Sequence, residues 1–468
     1  MDDTPVLALD AEERRRAGDR LLTLLDDHER GLRKAPIVPD LDRDLLTELL
    51  RTPMPAKGIG VDALFDEITD RILPNSTTVA HPRFLAYVQG PPTGIGPYAE
   101  AVAAAINQNC NFWQLSPAAS VVERSVLTWL GDVVGYPAGA DGVLTGGGSL
   151  ATLSGLAVAL HDRAPDFRSV GLQGQPAPLV VYTSAEAHRS VDKAAAVLGL
   201  GLDHVRHVPV DDRYRLRVDA LAAMVAADRE AGLRPFCVVA TSGTTTTGSV
   251  DPLDPIADLC AAEDLWLHVD GAYGALFLLC EEKRDLLAGC ARADSISLDP
   301  HKLLFAPLEA GCLLVRDAAK LRSAFAFSSS YLTVAADPLM TDYMDHGPQL
   351  SRDFKALKVW AALRVFGVDA FRTAIGGTLE LARHLARRIE AEPTLELLAP
   401  VELTAVCFGF RGVADHSAVL ARLAAEGTAL LGPAAVRGRS AMRACVTNYR
   451  TTRADVDLLV DRLVAAGP

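Results

Sequence analysis

Strand-like and helix-like segments alternate through the middle of this 468-residue chain, and this alternation limits the folds that it can adopt. Short apolar runs are followed by turn residues and then by segments with helical periodicity. Strands that alternate with helices favour an α/β fold, with a mainly parallel sheet flanked by crossover helices. The strand-like runs lie at 179–182, 236–240, 265–270, 295–297 and 310–315.

Ligands of such sheets bind beyond the carboxyl ends of the strands. Four features of this sequence are predicted to lie there: the 146–149 loop, Thr244, Asp270 and Lys302. Each feature is weak evidence when taken alone, because turns and surface lysines commonly follow strands. Their meeting at one edge of one sheet is much stronger evidence for a site.

The 146–149 loop has the sequence Gly-Gly-Gly-Ser and leads into an apolar-periodic helix that begins near Leu150. A glycine run at a helix N-terminus presents bare backbone amides and the positive end of the helix dipole, which together bind anions. The loop has neither the Lys-Ser/Thr pair of a P-loop nor the Gly-x-Gly-x-x-Gly spacing, so nucleotide binding is disfavoured.

Together with this anion site, Asp270 and Lys302 indicate a particular cofactor. Lys302 follows a Pro-His dipeptide after one strand, and Asp270 ends the preceding strand. Pyridoxal 5'-phosphate (PLP) requires a lysine for a Schiff base with its aldehyde and a carboxylate beside its pyridine nitrogen. The aspartate keeps that nitrogen protonated, so that the ring can withdraw electrons from the substrate Cα.

The outer parts of the chain differ from this central region. Residues 11–35 and 61–72 have helical patterns interrupted by prolines, and they have no core of their own. A poorly periodic stretch at 325–349 is long for a connection, which is typical of a functional loop. We therefore expect three parts: an N-terminal helical segment at 1–80, a large domain at 81–370 and a small C-terminal α+β domain at 371–468.

Composition and charge argue against several classes of protein. The chain is 49% hydrophobic and 22% charged, with a formal net charge of −13, so nucleic acid is not an expected partner. The eight cysteines form no Cys-x-x-Cys pair, which favours buried thiols in a reducing compartment over disulfides or a metal site. Neither a membrane span nor a signal peptide is evident. We expect a cytoplasmic protein with no metal and no membrane partner.

Three motifs together resemble those of one known family, the group II PLP-dependent amino-acid decarboxylases, which include aromatic-L-amino-acid and glutamate decarboxylases. The motifs are Asp299-Pro300-His301-Lys302, His268-Val269-Asp270-Gly271-Ala272-Tyr273-Gly274 and Ala187-His188-Arg189-Ser190-Val191. The resemblance covers almost the whole chain. It implies PLP fold type I, with PLP in the large domain, and a homodimer in which the N-terminal helices of each subunit wrap its partner.

The resemblance also implies how the cofactor ring is held. Lys302 is expected to form the internal aldimine, and Asp270 to pair with the pyridine nitrogen. His188 is expected to stack on one face of the ring and to act in catalysis, with Ala272 on the other face. The small alanine side chain lets the ring lie flush against the protein.

Further residues are implied to bind the phosphate and to support the site. Gly148 and Ser149 are expected to hold the phosphate through backbone amides and the serine hydroxyl, helped by the turn from Asp299 to His301. Because a carboxylate beside a phosphate is unfavourable, we expect Asp299 to act through its backbone and to cap this turn. Thr245 is expected to support the region around Asp270 or the substrate carboxylate.

Several residues are implied to act on the amino-acid substrate. Tyr87 is expected at the substrate pocket, and the stretch from Phe305 to Leu308 is expected to approach the pocket of the neighbouring subunit. Arg352 precedes a helix and is expected to reach the substrate. Tyr331 matches a loop tyrosine that protonates Cα in the decarboxylases.

The sequence leaves the substrate and the exact product open. The stretches 303–305, 307–311 and 87–90 depart from those of many relatives, so an aromatic amino acid is not favoured. Glutamate is not favoured either, because no arginine is evident for its side-chain carboxylate. Decarboxylation of an L-amino acid to an amine is the main hypothesis. The alternatives are decarboxylation coupled to oxidative deamination, which gives an aldehyde, PLP-dependent C–S or C–C lysis and, least favoured, a non-catalytic scaffold.

Overall fold

The computed structural model describes residues 6–327 and 339–468, which form two sheets covered by helices. The strands are β1 (Phe84–Leu85), β2 (Asp141–Thr145), β3 (Leu179–Ser184), β4 (Val205–Val208), β5 (Arg234–Thr241), β6 (Trp266–Asp270), β7 (Ser295–Leu298), β8 (Gly311–Val315), β9 (Leu395–Leu397), β10 (Ala405–Phe410), β11 (Leu430–Val436) and β12 (Arg439–Cys445). The helices are α1 (Ala11–Gly31), α2 (Arg43–Arg51), α3 (Val61–Glu67), α4 (Gly96–Ile106), α5 (Pro117–Val134), α6 (Gly148–Arg163), α7 (Phe167–Val170), α8 (Ser190–Val197), α9 (Val218–Glu230), α10 (Leu253–Ala262), α11 (Arg284–Leu287), α12 (Pro300–Leu303), α13 (Ala318–Phe325), α14 (Ala356–Ala391), α15 (Ser417–Ala425) and α16 (Arg453–Ala466).

The main sheet has seven strands in the order β2-β8-β7-β6-β5-β3-β4. The pairs from β7 through β6, β5 and β3 to β4 are parallel, whereas β8 is antiparallel to both β7 and β2. The central strands are apolar on both faces, as expected for a parallel sheet between two helical layers. The predicted α/β fold with a mainly parallel central sheet is confirmed.

The two strand reversals place six carboxyl ends at one edge of this sheet. Because β2 and β7 are both antiparallel to β8, the carboxyl end of β2 lies at the same edge as those of β3, β4, β5, β6 and β7. In register, Thr241 pairs with Asp270, and Asp270 pairs with Ser297. The 146–149 loop therefore lies at the same edge as the segment that carries Lys302.

The small sheet has five strands in the order β1-β11-β12-β10-β9 and packs against α14, α15 and α16. Its first strand comes from residues 84–85, within the predicted large domain, and pairs with β11. The long helix α14 crosses residue 370 and kinks at Gly367, whose φ is 72°. The predicted boundary at 80 therefore does not separate the two sheets, because the two-residue strand β1 is too short to show periodicity. The predicted boundary at 370 lies within α14.

The N-terminal helices α1, α2 and α3 contain no buried residues. Leu50 and Met54 are 86% and 94% exposed, while Leu32 and Ile37 anchor the segment to the rest of the chain. This leaves apolar surface uncovered, as the sequence predicted for a segment without its own core. In the described residues, no helix combines the length and apolarity needed to cross a membrane.

Candidate active site

A cavity of about 670 Å³ opens at the edge of the main sheet that the carboxyl ends of its parallel strands form. Its wall contains every residue that the sequence analysis predicted to bind the cofactor. These residues are Gly148, Ser149, His188, Thr245, Asp270, Ala272, Asp299, His301 and Lys302. The structure therefore brings residues that are as much as 154 positions apart in the sequence (302 − 148) into one site.

Lys302 lies on the short helix α12, directly after β7. Pro300 begins this helix, where its fixed φ and missing N–H are favourable. Lys302 Nζ is 2.8 Å from Asp299 Oδ2, and the Asp299 carboxylate is otherwise almost inaccessible to water. Asp299 accepts the Lys302 N–H through its backbone at 2.8 Å, but its side chain does not cap the helix. This agrees with the expectation that Asp299 caps the turn through its backbone, while its carboxylate binds the adjacent ammonium.

Asp270 ends β6 and is buried. Its Oδ1 accepts hydrogen bonds from the Ala272 amide and the Ser297 hydroxyl, both at 3.2 Å. Its Oδ2 accepts no hydrogen bond that we find among the described residues. Both donors therefore fix the orientation of the carboxylate and leave one oxygen for a cationic partner in the cavity.

Burial also determines the protonation state of a histidine on the strand that carries Asp270. His268 lies two residues earlier and is completely buried, with Nδ1 2.8 Å from the Ser295 hydroxyl. Burial lowers the pKa of His268 to about 4, although the Asp270 carboxylate opposes this shift. A neutral His268 leaves the negative charge of Asp270 uncompensated from behind.

The 146–149 loop has a bare backbone that faces the rest of the site. Gly147 has a φ of 140°, which disfavours any residue with a side chain. A Cβ at Gly148 would lie 2.8 Å from the Ala272 Cβ and 3.0 Å from Asp299 Oδ2. Helix α6 begins at Gly148, so its free amides and dipole point to this place. The loop fits a phosphate group, and Lys302 and Asp270 fit the aldehyde and pyridine nitrogen of PLP.

His188 lies just before α8, and its ring is oriented by Ser190. The Ser190 amide donates to His188 Nδ1 at 3.2 Å, and the Ser190 hydroxyl lies 2.8 Å from the same atom. Because a backbone N–H can only donate, Nδ1 is the acceptor and the proton of the neutral ring is on Nε2. Ser190 also lines the cavity, a contact that the sequence analysis did not predict.

Arg352 does not line the cavity, so the expectation that it reaches the substrate was wrong. Its guanidinium lies in the core and forms an ion pair with Glu123 on α5. The sequence showed that Arg352 precedes a helix, but it did not show on which side of the backbone the side chain lies.

Phe305 and Tyr87 do not line the cavity of the described chain either. Phe305 is 2% exposed and packs edge-to-face on Tyr449, with 5.0 Å between the ring centroids. Phe305 therefore lies in the core, whereas Leu308, at the other end of the same predicted stretch, lines the cavity and is 59% exposed. The approach of this stretch to a neighbouring subunit stays a prediction. Tyr87 is 56% exposed. Tyr331 lies outside the described residues.

The structure adds several residues that the sequence analysis missed. Arg443 is buried on β12 and donates to the carbonyl oxygens of Thr245, at 2.8 Å, and Ala86, at 3.0 Å. It thus brings a positive charge beside a cavity-lining residue. The sequence signal was a charged residue inside the apolar strand 439–445. Three more missed residues line the cavity: Tyr273, Glu309 and Gln349.

Comparisons with known proteins agree with this geometry. The family profile described as the pyridoxal-dependent decarboxylase conserved domain matches residues 44–411. The aromatic-L-amino-acid decarboxylase of Bacillus atrophaeus is 34% identical over 457 residues, which cover 95% of this chain and 94% of that protein.

Two solved structures extend the similarity to the fold. The structure of Oryza sativa TDC with PLP and tryptamine has a TM-score of 0.92 at 28% identity, with 99% of each chain covered. Rhodiola rosea 4-hydroxyphenylacetaldehyde synthase has a TM-score of 0.88 at 26% identity, and the match covers 98% of this chain and 99% of that one. The predicted family and cofactor are confirmed: this chain belongs to the pyridoxal-dependent decarboxylases and is a PLP-dependent carboxy-lyase.

Proposed function

We propose that this enzyme removes the α-carboxyl group of an L-amino acid and releases the corresponding amine. The observation that carries this proposal is the convergence of Lys302, Asp270 and the 146–149 loop on one cavity. They supply an amine, a carboxylate and a row of backbone amides, which match the three functional groups of PLP. When bound, PLP accepts the electron pair of the bond that breaks at Cα.

Each residue has a separate task in this proposal. Lys302 Nζ would supply the amine that holds the cofactor aldehyde. Asp270 Oδ2 would accept a hydrogen bond from the protonated pyridine nitrogen. His188 would cover one face of the ring, and Ala272 the other. With its proton on Nε2, the neutral imidazole can donate a hydrogen bond to the substrate carboxylate.

The substrate carboxylate also needs a positive neighbour while it is being oriented. Arg443 supplies a buried guanidinium beside Thr245, and the two hydrogen bonds to backbone carbonyls fix its position. We propose that Arg443 adds this positive charge from behind the cavity wall: like Arg352 it does not line the cavity, but its Nη1 donates to Thr245, which does. Orientation of this kind, rather than new covalent chemistry, is what the protein adds to the cofactor.

The described wall gives no clear preference for an acidic substrate side chain. Glu309 faces the cavity and is 3.4 Å from Lys355 Nζ, which also binds Asp353. Lys355 is therefore already neutralised by two carboxylates. A second carboxylate on the substrate would meet Glu309 rather than a free cation, so we do not propose glutamate as the substrate.

We further propose a cytoplasmic homodimer. The exposed apolar side chains of the N-terminal segment, Leu22, Leu50 and Met54, support a second copy as the cover for this surface. Leu308 lines the cavity and is exposed, and Tyr87 is exposed as well, so we propose that a partner subunit covers both side chains. Their proposed role as substrate contacts depends on the dimer.

Aldehyde formation is the second candidate function. It is favoured by the structural similarity to an aldehyde synthase. In both reactions CO₂ leaves first, and the outcome depends on whether Cα is protonated before the intermediate meets oxygen. We propose Tyr331 as the proton donor that favours the amine.

The test is a panel of aromatic, acidic, basic and S-substituted L-amino acids incubated with the PLP-loaded enzyme. CO₂, amine, aldehyde and peroxide are measured together, with Lys302→Ala as the control. We expect CO₂ and amine in equal amounts from at least one substrate. Equal amounts of CO₂, aldehyde and peroxide would select the second candidate. Release of pyruvate or thiol without CO₂ would contradict both.

A further inference from the structure

A buried ion pair lies behind the 146–149 loop. Glu123 on α5 and Arg352 before α14 have side chains that are 1% and 4% exposed. Arg352 Nη1 is 3.1 Å from Glu123 Oε2, and Nη2 is 2.5 Å from Oε1, so the guanidinium binds the carboxylate through two parallel hydrogen bonds. Neither residue lines the cavity.

The ion pair holds both backbone groups of one residue in β2. The Leu144 amide donates to Glu123 Oε1 at 3.0 Å, and Arg352 Nη2 donates to the Leu144 carbonyl oxygen at 2.9 Å. β2 is the edge strand of the main sheet, and no strand within residues 6–327 and 339–468 is paired with its outer side. The ion pair takes the place of that strand and fixes the chain two residues before Gly146.

Arg352 also joins β2 to a second part of the cavity wall. Its amide donates to Asn109 Oδ1 at 3.0 Å, and its carbonyl accepts from the Cys110 amide at 2.7 Å. Its Nη1 donates to the Cys110 carbonyl oxygen at 2.9 Å. Gln349, three residues earlier, lines the cavity. One side chain thus links the entry to the glycine loop with the segment that carries Gln349.

Stability alone is a poor explanation for this arrangement. Removing two charges from water is costly, and apolar residues of similar volume often stabilise a core at least as well as a buried ion pair. The ion pair instead fixes the orientation of the groups that it binds, because a forked guanidinium and a carboxylate restrain their hydrogen bonds in angle as well as in distance.

We propose that Glu123 and Arg352 are positioning residues for cofactor binding: they hold the carboxyl end of β2 so that the amides of the 146–149 loop are ready for the phosphate. This rests on the proposed phosphate role of that loop. The loop is then arranged before PLP arrives, and cofactor affinity depends on two residues that do not touch it.

The experiment titrates apo protein with PLP and measures the dissociation constant from the cofactor absorbance. Arg352→Lys keeps the positive charge, but a single ammonium cannot replace the fork and its bonds to two carbonyls. We expect the dissociation constant to rise at least about tenfold, which corresponds to one lost hydrogen bond of a charged group. Glu123→Gln should act in the same direction.

The matched control is Asp228→Asn, in a second buried network on the far side of the sheet. Asp228 accepts hydrogen bonds from Tyr182 and Arg206, and none of the three lines the cavity. This variant should lower the unfolding temperature of the apo protein and leave the dissociation constant within about twofold. If Arg352→Lys behaves like this control, the inference is overturned.

Two further measurements separate the possible failures. Ser149→Pro tests the loop itself, because it removes both the amide N–H and the hydroxyl in the first turn of α6, where proline is tolerated. Unchanged PLP affinity would reject the phosphate assignment, whereas weaker affinity with a normal Arg352→Lys would reject only the positioning role. Hydrogen exchange of the wild-type apo protein needs no variant to fold. The amides of residues 144–150 should be protected without PLP, and rapid exchange there would overturn the inference.

Discussion

Asp270→Asn is expected to retain PLP and lose most of the turnover. Oδ1 of Asp270 accepts two hydrogen bonds, from the Ala272 amide and the Ser297 hydroxyl. In the variant the amide oxygen must take that position, because an amide NH₂ cannot accept those bonds. The NH₂ group then lies where Oδ2 was and donates to the pyridine nitrogen. The substitution therefore does more than remove a charge, since it favours the unprotonated ring.

The size of the effect follows from the burial of this carboxylate. Two opposite charges about 3 Å apart interact by about 5 kcal/mol at an effective dielectric constant of about 20. Loss of one preorganised electrostatic contact in an active site commonly costs about 3 kcal/mol of transition-state stabilisation. We therefore expect kcat for CO₂ release to fall by roughly a hundredfold.

The assay is single-turnover CO₂ release by enzyme saturated with PLP, so that cofactor loss does not contribute. Ser297→Ala is the matched control, because it removes one hydrogen bond to Oδ1 and keeps the negative charge. It should cost about 1 kcal/mol, or about fivefold in rate. An Asp270→Asn rate within about fivefold of the wild type would refute the assignment of Asp270.

Three other predictions use different measurements. Borohydride reduction followed by mass mapping should place PLP on Lys302, and Lys302→Ala should fold but lose label and turnover; label on another lysine would contradict the site. Tyr331→Phe should release CO₂ at a near-normal rate but shift the product from amine to aldehyde, and an unchanged product ratio would reject the proton-donor role. Sedimentation should show a dimer, and Leu50→Glu with Met54→Glu should weaken it; a fully active monomer would contradict the proposed dimer.

Much of the fold could be predicted because the central strands are long enough to show their pattern. The runs that became β3, β5, β6, β7 and β8 are apolar and are separated by helical periodicity. β1 could not be predicted in this way, since two residues show no period and its pairing with β11 spans 346 positions (430 − 84). The prediction succeeded where local pattern decides the structure and failed where only tertiary pairing does.

The cofactor residues could be predicted for a related reason. Lys302, Asp270 and the glycine loop each follow a strand, and the direction of parallel strands brings their ends together without further information. Residues that reach the cavity from other elements had no such rule. Arg443 approaches from the small sheet, and Gln349 lies in a segment with little periodicity.

Arg352 shows what information in the sequence was not used. On α5, Glu123 occupies the same stripe as Val126, Leu127 and Leu130, all of which are buried. A carboxylate on an apolar helix stripe must have a partner, because an unpaired buried charge is very costly. Glu123 therefore requires a cationic side chain elsewhere in the chain, and that side chain is then not available to bind substrate. A search for the partner of Glu123 would have removed one arginine from the substrate-binding candidates before the structure was known.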